Sequence, residues 1–228
     1  MSVSPGTLFI VGTPIGNLED ITLRALRVLR EADLVAAEDT RRTGLLLAHY
    51  SLHKPLVSYH EFNEAKRTAE LLQKLQNGLS IALVTDAGMP TLSDPGLRLI
   101  RAALGAGIRI EVIPGPSALT AALAGSGLAA ERFLFYGFLP HKSSQRRKVL
   151  ASVAPLPHAV AFFESPYRLK KSLAEMLDIL GDRHVIVARE LTKKFEEFLR
   201  GPISSVLKSL ENRTVKGEIT MIVEGNPE

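Results

Sequence analysis

The residues with chemical potential come in short blocks, each closing an apolar run. Val35-Ala36-Ala37 ends abruptly in Glu38-Asp39-Thr40-Arg41-Arg42, and Phe162-Phe163 closes on Glu164-Ser165-Pro166-Tyr167-Arg168. A carboxylate at such a place can orient or deprotonate a hydroxyl; an arginine stays protonated and can hold a phosphate but cannot act as a base. Glu38, Asp39 and Glu164 are therefore the candidate proton acceptors, with no choice among them, and Arg41 and Arg42 the candidate phosphate ligands. Tyr59-His60-Glu61 ends another apolar run, where His60 reads as polar surface.

Other blocks offer backbone rather than side chains. Gly12-Thr13-Pro14-Ile15-Gly16-Asn17 is a turn whose glycines let a ligand approach the main chain. Its spacing is not that of a dinucleotide loop, and no Gly-Lys-Ser/Thr follows to make a phosphate loop. Thr85 to Gly96 gathers Asp, Gly and Pro at a strand end, with Asp86 able to accept hydrogen bonds and Ala87 and Gly88 leaving room. In Ile113-Pro114-Gly115-Pro116-Ser117-Ala118, Ser117 is placed to cap a helix whose free N–H groups face a ligand. The densest basic run, His141 to Lys148, brings Lys142, Arg146, Arg147 and Lys148 near Tyr136 and Phe138, a mixture suited to RNA phosphates and base stacking and also to a solvated helix start, with RNA favoured because the acids Glu131 and Glu164 lie well outside the run. Arg189 to Glu196 reads as RNA contact or as a salt-bridged hairpin.

Positioning these blocks requires an α/β scaffold. Leu8 to Val11, Leu34 to Ala37, Ile81 to Thr85 and Ile110 to Ile113 read as strands, and Ile21 to Arg30, Glu61 to Gln76 and Leu92 to Leu104 as helices between them. The Pro114 to Pro116 break sets the domain boundary, giving an N-terminal α/β domain over 1–115 and a C-terminal α/β domain with a mixed sheet over 116–228. In the second, a helix over Ala118 to Ala124 precedes strands at Phe133 to Tyr136, Ala159 to Phe163, Val185 to Ala188, Glu197 to Leu199 and Ile219 to Val223.

Composition excludes more than it selects. With 228 residues, 46% hydrophobic and 23% charged, the chain has the makings of a real core and no sign of disorder. Zero cysteines rule out disulfides, a thiolate nucleophile and a cysteine zinc site. The net charge of +4 is compatible with a polyanion without requiring one. The longest uncharged stretch, Val112 to Ala130, is interrupted by Pro114, Pro116, Gly125 and Gly127 and is not expected to span a membrane. Met1 to Thr7 lacks a signal core, so the expected compartment is the cytoplasm.

Taken in order, several blocks resemble the tetrapyrrole methylase superfamily, and within it the branch acting on small-subunit ribosomal RNA. They are Val11 to Thr22, Ala36 to Arg41, Thr85 to Gly96, Pro114 to Ser117, Gly137 to Pro140, Phe163 to Ser165 and Ala188 to Lys193. The resemblance spans nearly the whole chain. It implies two α/β domains of tetrapyrrole methylase type with S-adenosyl-L-methionine in the interdomain cleft, a homodimer, and methylation of a cytidine ribose 2'-oxygen in small-subunit (16S) ribosomal RNA, with no DNA or membrane partner and no metal. By the same resemblance, cofactor contacts fall at Pro14, Asp86, Ala87, Gly88, Ser117 and Ala118, with Phe163 and Gly201 contributing from the second domain. Members commonly continue into a basic helical extension, whereas this chain stops at Gly225-Asn226-Pro227-Glu228; the expected effect is on RNA grip more than on cofactor binding. The fold also carries methyltransferases that act on a tetrapyrrole carbon. The loops Thr13 to Asn17 and Glu38 to Arg41 favour RNA over that alternative. A non-catalytic RNA-binding or ribosome-assembly protein is the alternative of another class; it needs a basic surface but no cofactor site.

Overall fold

The computed structural model describes residues 6–129 and 131–226. Most of the start examined for an export signal, Ala130, and the final Pro227 and Glu228 lie outside them. The chain divides into two compact units between Ser117 and Ala118.

The first unit alternates β1 (Thr7–Val11), α1 (Leu23–Glu31), β2 (Leu34–Ala37), α2 (Thr40–His49), β3 (Leu56–Ser58), α3 (Glu64–Gln76), β4 (Ile81–Val84), α4 (Leu97–Gly105) and β5 (Arg109–Ile113). Its strands lie in the order β3-β2-β4-β1-β5, every neighbouring pair parallel. A parallel sheet buried on both faces needs apolar residues of both parities. Val35, Ala37, Ala82 and Val84 pack with Ala25, Val28 and Leu29 of α1 and Leu47 of α2. The alternate residues Leu34, Ala36, Ile81 and Leu83 pack with Leu71 and Leu75 of α3 and Leu99 and Ala103 of α4. From β2 the chain leaves toward β3, and from β4 toward β5, so the connections diverge between these neighbouring strands. Such a divergence opens a crevice at the carboxyl ends of the strands.

Two differences from the sequence reading bear on this crevice. Besides the four expected strands there is β3, a half-buried edge strand of three residues, too short for a periodic signal. The helix expected from Leu92 begins only at Leu97, because Thr91, Ser93 and Gly96 have φ of 75°, 72° and 140° and the Pro95-Gly96 step cannot sit inside a helix. Asp94 is therefore held in a loop.

The second unit comprises α5 (Ala118–Ser126), β6 (Phe133–Phe138), α6 (Ser143–Val153), β7 (Ala159–Glu164), α7 (Leu169–Leu180), β8 (His184–Arg189), β9 (Glu197–Pro202), α8 (Ile203–Ser209) and β10 (Ile219–Val223). The order is β6-β7-β10-β8-β9; β6 and β7 are parallel and the remaining neighbours antiparallel, a mixed sheet. Leu150 and Val153 of α6, Leu173 and Met176 of α7 and Val206 of α8 fill one core against Val160, Phe162, Val187 and Met221. Helix α5 brings Gly125 against Phe198: a Cβ there would lie 2.6 Å from the ring.

Candidate active site

The loops after β1, β4 and β5 are laced together at the carboxyl edge of the first sheet. Thr13 and Gly88 exchange backbone hydrogen bonds of 2.9 and 3.0 Å, and the Thr13 hydroxyl donates to the Thr85 carbonyl at 3.0 Å. Gly12 and Gly115 approach so closely that a Cβ on Gly12 would stand 2.8 Å from Gly115 Cα. Gly88 has φ of 86°, in the region that favours glycine. This weave brings Pro14, Asp86, Ala87, Gly88 and Ser117 to one edge, with Pro14 and Gly88 buried and the others partly so. Helix α5 starts at Ala118, directly after Ser117.

On the other side of β4 the carboxylates meet. The Thr85 hydroxyl donates to Glu38 Oε2 at 2.6 Å, and the Asp86 N–H donates to the same oxygen at 3.3 Å. Asp86 in turn accepts from the Asp39 N–H at 3.0 Å and pairs with Arg42 at 3.4 Å. Burial, and then the neighbouring Glu38 charge, raise the Asp86 carboxyl above its ordinary value. A carboxylate has roughly four acceptor sites, so Asp86 keeps capacity for a further hydroxyl or amino donor.

Glu38 also faces a cavity of about 920 Å³ at the β3-β2-β4 end of the same edge. His60, Glu61 and Phe62 after β3, Asp94 in the loop before α4, and Arg98 and Arg101 on α4 line it as well. Burial first, and the Glu38 and Asp86 charges with it, push the Asp94 carboxyl up to about 6 against an interaction with Thr85 that lowers it. Sequence reasoning included Asp94 in the Thr85 to Gly96 block but did not single it out. The signal was Pro95-Gly96, a turn dipeptide that removes Asp94 from the expected helix.

The other candidates have partners of their own. Asp39 caps α2, accepting from the Arg41 N–H at 2.8 Å, and its hydrogen-bonded ion pair with Arg41 holds its carboxyl well below the usual range. That makes it a weak base. Glu164 is a correction: 2% exposed, it pairs with Arg168 at 2.6 Å and accepts from the Ser172 hydroxyl at 2.5 Å, so both oxygens serve the fold. Arg146 is another, because the amphipathic turn of α6 points it inward. It is 1% exposed, pairs with Glu175 at 2.6 and 2.8 Å, and donates to the Pro140 and His141 carbonyls. No phosphate can reach it. Lys142, Arg147 and Lys148 stay exposed, Arg147 beside Asp178, as do Arg41 and Arg42. In the second sheet Phe163 stacks edge-on with Phe135 at 5.0 Å, whereas Gly201 shares its register row with Val160 and is separated from β7 by β10 and β8. Strand register does not bring Phe163 and Gly201 together.

Comparison with known proteins places the chain in a family. The sequence model of Tetrapyrrole (Corrin/Porphyrin) Methylases matches residues 7–207. The chain is 52% identical over 223 residues to ribosomal RNA small subunit methyltransferase I of Halalkalibacterium halodurans, covering 98% of this chain and 77% of that one. It is 50% identical over 220 residues to the protein of that name from Thermotoga maritima, covering 96% and 99%. Among solved structures, uroporphyrin-III C-methyl transferase from Thermus thermophilus complexed with S-adenyl homocysteine superposes with a TM-score of 0.66 at 20% identity, over 95% of this chain and 97% of that one, a likeness of fold. With the match spanning both units, the chain belongs to the tetrapyrrole (corrin/porphyrin) methylase family.

Proposed function

We propose that the chain is an S-adenosylmethionine-dependent methyltransferase that methylates the ribose 2'-oxygen of a cytidine in small-subunit ribosomal RNA, working as a homodimer in the cytoplasm. The observation that carries this reading is identity of about half over nearly the whole chain to relatives named for small-subunit ribosomal RNA methylation. Among the described residues no helix is long and apolar enough to cross a membrane.

The edge fits the cofactor. An adenosyl amino acid presents hydroxyls, an amino group and a carboxylate, and the β1, β4 and β5 loops offer backbone groups beside Gly88 and the acceptor Asp86. Pro14, Asp86, Ala87, Gly88, Ser117 and Ala118 would hold it. When bound, S-adenosylmethionine supplies a methyl group already activated on sulfur. What remains for the chain is to orient the acceptor oxygen, exclude water and receive a proton. Of the three carboxylates read from sequence, Glu38 lines the cavity at the β3-β2-β4 end of this edge. The exposed Arg41, Arg42, Lys142, Arg147 and Lys148 supply phosphate contacts.

The test is transfer of labelled methyl from the cofactor to undermethylated small subunits, beside free ribosomal RNA and a tetrapyrrole precursor. Label in the ribosomal RNA at a ribose oxygen is expected. Label confined to the tetrapyrrole would transfer the activity to ring-carbon methylation, and binding of RNA without any transfer would leave an RNA-binding protein.

A further inference from the structure

The cavity at the β3-β2-β4 end differs in chemistry from the loops beside it. Arg98 and Arg101 form an exposed cationic rim on α4, Arg98 paired with Glu64 at 3.6 Å. Phe62 keeps 89% of its surface in solvent, although its ring touches that of His60 at a centroid distance of 6.0 Å. His60 Nδ1 is buried without a hydrogen-bond partner among the described residues, while its Nε2 meets Asn63 at 3.0 Å. Glu38, Glu61, Glu64 and Asp94 add carboxylates. Each feature matches one part of a nucleotide: guanidinium for phosphate, an exposed ring for a base, an unpaired buried nitrogen for a polar edge, a carboxylate for a hydroxyl. A lone exposed phenylalanine is ordinary on a protein surface; one on the wall of a cavity with a cationic rim is a stacking platform. The volume of about 920 Å³ suits a nucleotide.

Position strengthens the match. The cavity flanks the crevice between β2 and β4, and the loop 85–96 joins the two halves of the edge. It carries Gly88 toward β1, Asp86 toward the start of α2 and Asp94 into the cavity. Resting on the methyl-transfer reading above, we infer that this cavity receives the acceptor nucleotide: Phe62 stacks on a base, Arg98 and Arg101 hold phosphate, and Asp94 takes the proton of the ribose 2'-hydroxyl. Glu38 is the positioning neighbour, since its Oε2 is already committed to Thr85 and the Asp86 N–H. In the reaction the oxygen–carbon bond forms as the methyl carbon–sulfur bond breaks. The hydroxyl proton passes to Asp94, the sulfur leaves as a neutral thioether, and Asp94 then releases its proton to water.

The titratable and charged groups around Asp94 are Glu38 after β2, Asp86 after β4, His60, Glu61 and Glu64 after β3, and Arg98 and Arg101 on α4. Asp94, near 6, is more basic than an ordinary carboxylate and still ionised at neutral pH.

The chain has no tryptophan, so Phe62→Trp installs a single fluorescent reporter. Titration with a cytidine-containing single-stranded RNA fragment is expected to change its emission saturably. Phe62→Ala is expected to raise the KM for RNA about tenfold with cofactor affinity unchanged. Asp94→Asn is expected to lower kcat about 100-fold or more while RNA binding persists in the Phe62→Trp background. In wild type log kcat should rise with pH to an inflection near 6 that disappears in Asp94→Asn and moves down in Glu38→Gln, which loses the neighbouring charge. Emission indifferent to saturating RNA, or an acid limb surviving in Asp94→Asn, overturns the inference while wild-type RNA methylation stands. A wild type that labels only the tetrapyrrole overturns the functional reading and this inference together.

Discussion

Thr85 ties Glu38 to Thr13: its hydroxyl donates to Glu38 Oε2 at 2.6 Å while its carbonyl accepts the Thr13 hydroxyl at 3.0 Å. One buried residue thus spans the β2, β4 and β1 ends that form the candidate site. Thr85→Val keeps the volume and deletes the donor to Glu38. A hydrogen bond to a charged group is worth about 1.5–3 kcal/mol, so urea unfolding should show a stability loss of that order. Methyl transfer should fall chiefly in kcat, because the carboxylates lose their register while the cofactor loops keep their backbone bonds. Unchanged stability and kcat would show that the contact does not organise the edge.

The Gly12–Gly115 approach is a tight constraint on the loops after β1 and β5. A Cβ on Gly12 would meet Met89 Sδ at 2.7 Å, which can move, and Gly115 N at 2.9 Å, which is backbone and cannot move alone. Gly12→Ala is expected to cost about 1–3 kcal/mol of stability and to weaken cofactor binding, measured by calorimetry with S-adenosylhomocysteine. Gly105→Ala, where a Cβ would meet nothing within 4 Å, serves as the control.

Arg146 and Lys148 lie close together in sequence on one helix and are expected to respond differently. Breaking the buried Arg146–Glu175 pair leaves a carboxylate uncompensated, a loss of about 3–5 kcal/mol, so Arg146→Ala should melt early. Lys148→Ala should leave the melting temperature in place, weaken RNA binding and reduce its salt dependence by about one counterion. The check is a thermal melt beside RNA titrations at several salt concentrations. If Arg146→Ala kept full stability and lost only RNA affinity, the buried pair would not be the structural role of that residue.

The contrast between these residues shows what local sequence can reveal. Strands β1, β2, β4 and β5 were legible because each is an apolar run bounded by turn residues, and the blocks at their ends marked the candidate edge. The direction of a charged side chain was not. Arg146 looks like its basic neighbours in the sequence, and only the phase of α6 against α7 turns it toward Glu175. Glu164 and Glu38 both end apolar strands, yet Ser172 and Arg168 enclose one while the other faces a cavity. Ser172 and Glu175 lie further along α7, so spacing carries no trace of them, whereas Arg168 follows Glu164 at i+4 within the same block. Asp94 was within reach, since Pro95-Gly96 forbids the helix in which it was placed.

Asp94 also makes a prediction about stability, with a sign opposite to most carboxylates. Its folded value, near 6, lies above the ordinary 3.8, so the fold holds this proton more tightly than the unfolded chain does. The stability linked to that proton is fully present below 3.8 and is lost as pH rises through 6. Above that range an ionised Asp94 faces Glu38 and Asp86 and weighs against the folded state. Asp94→Asn, which resembles the protonated acid, removes this opposition. The variant should therefore melt at a higher temperature than wild type at about pH 8, with the gap closing as pH falls toward about 4. Differential scanning fluorimetry across that range reads the crossover directly. A variant more stable yet less active would fit a charge kept at the edge for chemistry against the preference of the fold; equal melting temperatures at every pH would show that the neighbouring acids exert no such pressure.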